Sequence, residues 1–98
     1  MEERRLKAQA ILKSSFLRAT EEIPGFEAEP VSGLALFDVP GALLDSLNLI
    51  SFVFIIEDEF ERITGKKTKI TTEDVLKSTE TPFQTTDTLE AFLARRIG

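Results

Sequence analysis

Any chemistry done by this chain's own side chains would start at Asp45-Ser46, because the residue types that usually begin it are absent. The 98 residues include no Cys and no His, so there is no thiolate, no disulfide framework and no imidazole to act as base or metal ligand. A serine hydroxyl without an activating base is inert as a nucleophile, which turns the reading from enzyme toward a binding or carrier protein. Ser46 stands at the mouth of "GALLDSLNLISFVFIIEDEF", residues 41–60, the most apolar stretch of the chain. Taken alone, Asp45-Ser46 at that position reads as a good helix start.

The element that must position this hydroxyl is a helix over residues 46–62. Ile, Val and Phe would suit a strand, but on a helical wheel Leu49, Phe52, Val53, Ile56, Phe60 and Ile63 share one sector of about 100°, the width of a core-facing stripe. Asp45 fits the N-cap, accepting N–H groups of the first turn, with Leu44 and Leu49 at the positions of a hydrophobic staple. Ser46 then falls at the first helical position, its hydroxyl free of capping duty. A phosphodiester on that oxygen would lie beside unsatisfied N–H groups at the positive end of the helix dipole.

The rest of the chain predicts a frame for this helix. Residues 2–20 contain no Gly or Pro and read as a helix with Leu6, Ala10 and Leu17 in one narrow sector and Leu12 and Phe16 on another side. Between Glu21 and Leu44, Pro24, Gly25, Pro30, Gly33, Pro40 and Gly41 break any regular element. This is a long structured loop, with Leu34, Leu36 and Phe37 available to pin it to the core. After Gly65 comes the basic "KKTK", then "ITTEDVLK", where Thr71 and Asp74 have capping-box spacing for a brief helix. A last helix lies in "TTDTLEAFLARRI", with Asp87 and Glu90 at cap and N3, Leu89, Phe92 and Leu93 inward, and Arg95 and Arg96 where the dipole favours cations. The expected fold is all-α, one domain over residues 1–98: a small bundle of three main helices and one short helix.

A net charge of −5 and a pI near 4.7 argue against nucleic acid, whose phosphates need cations. The first residues lack the apolar centre of a signal peptide, and the run from Leu49 to Ile56 is far short of the roughly 20 residues that cross a bilayer. The expectation is a cytoplasmic protein without membrane insertion.

"LLDSL" opening an apolar helix, that helix ending in "EDEF", then "ITTEDV", then Phe83 and Thr85 before a last helix: this ordered set, over about residues 40–97, resembles the acyl carrier protein family. The resemblance implies that Ser46 carries 4′-phosphopantetheine, derived from coenzyme A, and that Asp45 and Leu47 belong to the surface read by a phosphopantetheinyl transferase, Asp45 helping to hold its Mg²⁺. It implies a monomer that carries an acyl group as a thioester and catalyses nothing itself. It also implies that the second helix meets partner enzymes: a loading ligase, acyltransferases or synthases. Leu47, Ile50 and Phe54 form a stripe apart from the core sector; Ile50, Phe54 and Ile55 are the expected apolar anchors, with Glu57, Asp58 and Glu61 the expected acidic contacts.

The sequence departs from the usual fatty-acid carrier in having Asn48 and Ser51 where acids often follow the serine, and in Lys66, Lys67 and Lys69 on a longer connection. "LKSTETPFQT" is also lengthened. These departures imply a specialised carrier, since charge complementarity governs encounter with partners. Cargo stays open between a lipid branch, such as lipopolysaccharide, glycolipid or polyketide supply, and an aminoacyl branch of the D-alanyl or peptidyl carrier type. The bulk of Phe52, Phe54, Phe60 and Phe92 leaves open whether a long chain enters the bundle. A non-carrier helical interaction module is the reading from a different class.

Overall fold

In the computed structural model, which describes residues 2–71, 73–77 and 81–97, helix α1 (Glu2–Glu22) turns inward the side that holds Leu12 and Phe16, opposite the Leu6 sector. Ala8, Ile11, Leu12, Ser15, Phe16 and Ala19 are buried, whereas Leu6 and Leu17 are 58% and 63% exposed. The reason is in the wheel itself. Lys13 falls in the sector of Leu6, Ala10 and Leu17, and burying an unpaired ammonium costs far more than exposing two leucines. The buried face follows an i, i+3, i+4, i+7 pattern, and its small Ala8, Ser15 and Ala19 let other elements approach closely.

Helix α2 (Ser46–Thr64) starts where Asp45 predicts. Asp45 has extended backbone and its Oδ1 accepts the Asn48 N–H at 2.7 Å. Gly65 ends the helix in the left-handed conformation, φ 76°, donating its N–H to the Glu61 carbonyl at 2.8 Å; a side chain there would be strained. Leu49, Phe52, Ile56 and Phe60 are buried as expected, with Val53 and Ile63 partly so.

The core is aromatic at its centre. Phe16 of α1 meets Phe26 edge-on at 5.2 Å and Phe52 of α2 at 5.7 Å, Phe26 stacks on Phe52 at 5.8 Å, and Phe52 continues to Phe83 and Phe83 to Phe92. Each ring fully removed from water contributes about 1.5–3 kcal/mol. These contacts join α1, the loop, α2 and the C-terminal segment into one core.

The long loop is fixed by burial and by main-chain pairing. Ile23, Phe26, Leu36 and Leu44 are buried, and Leu34 and Phe37 pack partly against the core. The Leu36 N–H donates to Gln84 O at 2.7 Å and the Thr86 N–H to Leu34 O at 3.1 Å, around an antiparallel bridge of Ala35 with Thr85. Among the described residues there is no strand beyond this single bridge.

Helix α3 (Thr86–Ile97) is capped two residues earlier than Asp87 and Glu90 suggested. Thr85 and Thr88 form the reciprocal pair: the Thr88 N–H donates to Thr85 Oγ1 at 3.2 Å and the Thr85 N–H to Thr88 Oγ1 at 3.1 Å. Asp87 instead accepts the Ser32 hydroxyl at 3.0 Å, and Glu90 approaches Arg5 at 3.7 Å. Leu89, Phe92 and Leu93 are buried as their spacing requires. The brief helix of the 71–77 region is a π-helical turn over Glu73–Lys77, closed by the expected Thr71–Asp74 box. Residues 78–80 of the lengthened "LKSTETPFQT" lie outside the described residues. Among the described residues there are four helical elements, and three of them form a small helical bundle in which α1 packs on both α2 and α3.

Candidate functional site

Ser46 is exposed at the first position of α2. Because Asp45 supplies the cap, the serine oxygen is not consumed by it, and the first N–H groups of the helix, those of Ser46 and Leu47, have no intrahelical acceptor. Leu47 beside it is 77% exposed, and Ile50 and Phe54 one and two turns on are 57% and 62% exposed. Three large apolar side chains thus stand in one stripe on the outer side of a helix whose inner side is filled. Glu61 and Asp58 continue the stripe toward the C-terminus, both exposed, Asp58 lying 3.5 Å from Arg18.

Ser46 also sits at the end of an open groove of about 980 Å³, bounded on one side by α2 through Leu49, Ile50, Val53 and Phe54 and on the other by residues 67–71 and Val75, with Phe37 of the loop closing part of it. The volume is at the upper end of the roughly 300–1,000 Å³ typical of small-molecule sites. The second wall is held by charged anchors. Glu57 of α2 accepts the Ile70 N–H at 2.7 Å, and Ile70 itself is buried. Arg96 of α3 donates to Thr68 Oγ1 at 3.1 Å and Lys69 O at 3.0 Å, pairs with Asp74 at 3.0 Å, and rests 4.7 Å above the Phe92 ring. Asp74 is held below the usual carboxylate range, chiefly by the Thr71 N–H, with the Thr71 hydroxyl and Arg96 adding to it against the opposing effect of burial.

Two of the expected partner contacts have other duties. Ile55 is only 3% exposed and cannot serve as an anchor. It lies one turn before Glu59, on the side of α2 that meets α1. That side reads as polar by residue type, yet Glu59 is buried there among donors: the Ser14 hydroxyl at 2.6 Å, Arg18 at 3.1 Å and Arg62 at 2.6 Å. Glu57 is half-buried and spends one oxygen on Ile70, so it supports the groove wall. Burial alone would push the Glu59 carboxyl up, but hydrogen bonds from Arg62, Ser14 and Arg18 outweigh it and hold it at about 2. Arg18 is correspondingly raised, first by Glu22 and then by Glu59.

Sequence reasoning brought out Asp45, Ser46, Leu47, Ile50 and Phe54 but missed the groove's other wall. Lys67 and Lys69 read only as a basic connection, and Arg96 only as a dipole partner. The wheel position of Glu59, between Ile55 and Ile56, was the available signal for its burial. Among the described residues no helix is long and apolar enough to cross a membrane. Comparison with known proteins finds no matching family model, no matching curated sequence and no matching solved structure.

Proposed function

We propose that this chain is a carrier protein of acyl-carrier type, with Ser46 as the attachment point for 4′-phosphopantetheine. One observation carries the reading: Ser46 is exposed at the tip of α2, with its hydroxyl freed by Asp45 and the groove opening beside it. In the transferase reaction the Ser46 oxygen attacks the phosphorus next to the pantetheine of coenzyme A. The new Oγ–P bond replaces the anhydride P–O bond, adenosine 3′,5′-bisphosphate leaves, and the hydroxyl proton passes to a base of the transferase. The first-turn N–H groups and the helix dipole favour the resulting phosphodiester anion. Once attached, the arm supplies a thiol that carries cargo as a thioester.

Leu47, Ile50 and Phe54 are the surface by which loading ligases, acyltransferases or synthases would grip the carrier. Exposed apolar stripes of this kind mark interaction sites, and Asp58 and Glu61 beyond them suit a basic partner patch. The long lysine-bearing connection supports a dedicated partner set over the general enzymes of fatty-acid synthesis. The ring-filled core supports cargo lying along the surface groove, because packed interiors accept added volume poorly.

The same apolar stripe also supports a second reading, a helical interaction module without an arm. Transfer of a fluorescent coenzyme A analogue by a broad-specificity phosphopantetheinyl transferase separates the two. Label on the wild type and none on Ser46→Ala is the expected result; an unlabelled wild type leaves the interaction module.

A further inference from the structure

We infer that the groove beside Ser46 selects an apolar chain whose far end is anionic, so that the cargo class, on the carrier reading above, is a monothioester of a dicarboxylic or similarly acid-ended acid. The walls are apolar where the body of a chain would lie: Leu49, Ile50, Val53, Phe54, Ile70 and Val75. Among the described residues the charged lining is Glu57, Lys67 and Lys69. Glu57 has one oxygen committed to the Ile70 N–H. Both lysines are exposed, and among the described residues neither ammonium has an ion-pair partner.

The position of the lysines decides which anion they meet. From Gly65, at the C-terminal end of α2, the chain runs back along the helix until Ile70 pairs with Glu57. Lys67 and Lys69 therefore belong to the Glu57 end of the groove. Glu57 follows Ser46 by eleven residues of helix, about 16 Å at 1.5 Å per residue. A phosphodiester on Ser46 would sit at the opposite end, so the arm's own phosphate is not what the two cations are placed to hold. In a chain of net charge −5, two cations with no ion-pair partner among the described residues, at the rim of an apolar trough, complement a negative cargo terminus delivered there by the flexible arm.

The test uses the unmodified full chain, observed by NMR, with two soluble probes of equal length: monomethyl octanedioate, which ends in a carboxylate, and methyl 8-hydroxyoctanoate, which ends in a hydroxyl. The acid probe should bind about three- to ten-fold more tightly, the range expected of one or two solvent-exposed ion pairs. Its binding should shift the methyls of Ile50, Val53 and Ile70 and the ε-methylenes of Lys67 and Lys69, and the preference should shrink in high salt. Lys67→Gln/Lys69→Gln, which changes only exposed side chains, should bring the two probes to equal affinity. Equal binding to the wild type, a preference that survives in the double variant, or groove methyls unmoved by the acid probe each overturns the inference. Since no arm is needed, the outcome is separable from that of Ser46 modification. A modified Ser46 with equal probe binding keeps the carrier and removes the acidic cargo; an unmodified Ser46 with the preference intact removes the carrier cargo and leaves a free-acid site.

Discussion

The Asp45 carboxylate accepts the Asn48 N–H at 2.7 Å, and this bond is what separates the cap of α2 from the hydroxyl that follows it. Were Ser46 itself the cap, its oxygen would be turned back into the first turn. Asp45→Ala should cost about 1 kcal/mol of stability, the usual loss for an N-cap, and Asp45→Asn much less. Urea unfolding of the three proteins checks both.

Glu59 gives the fold a predictable acid limit. Its carboxyl is lowered from an ordinary 4.5 to about 2, so the folded state binds this proton less readily than the unfolded chain. The stabilisation is fully present above about pH 4.5 and is lost progressively as the pH falls toward 2. Urea midpoints across that window should fall in the wild type. In Glu59→Gln the fall should be shallower, with a lower midpoint at pH 7 because the bonds to Arg62, Ser14 and Arg18 lose their charge.

Ser15 is the opposite case. Its hydroxyl is fully buried and has no hydrogen-bond partner among the described residues, a desolvation cost of about 1–3 kcal/mol with no return. Ser15→Ala should raise stability by about 1 kcal/mol, seen as a higher urea midpoint with an unchanged slope.

The groove wall has its own dependence. Arg96 ties α3 to Thr68, Lys69 and Asp74 at once, while Glu57 and the burial of Ile70 hold the same segment from the α2 side. Arg96→Ala should speed amide exchange at Ile70 about ten-fold, equivalent to about 1.4 kcal/mol of local opening, while amides of α1 change little.

What could be read in the residues was local. Asp45, the stripe from Leu49 to Phe60, the Thr71–Asp74 box and the inward Leu89, Phe92 and Leu93 follow from spacing, because caps and periodic faces are settled within a few residues. The inner face of α1 stayed open between the sector of Leu6 and Leu17 and the side of Leu12 and Phe16, and Lys13 in the first of these is the residue that decides between them. Ile55 was assigned outward because its neighbours are polar, and the convergence of Ser14 and Arg18 from α1 with Arg62 makes a buried Glu59 tolerable. Arg96 reaching residues 68–74, and the groove this completes, are long-range relations that no local pattern carries.

The central claim is most directly tested by the intact mass of the full chain after incubation with coenzyme A, Mg²⁺ and a phosphopantetheinyl transferase, followed by fragmentation of the peptide that contains Ser46. The account predicts a gain of one phosphopantetheine per chain, located on Ser46 and absent from Ser46→Ala. A wild-type mass that stays unchanged, or a gain that persists in Ser46→Ala, would contradict it.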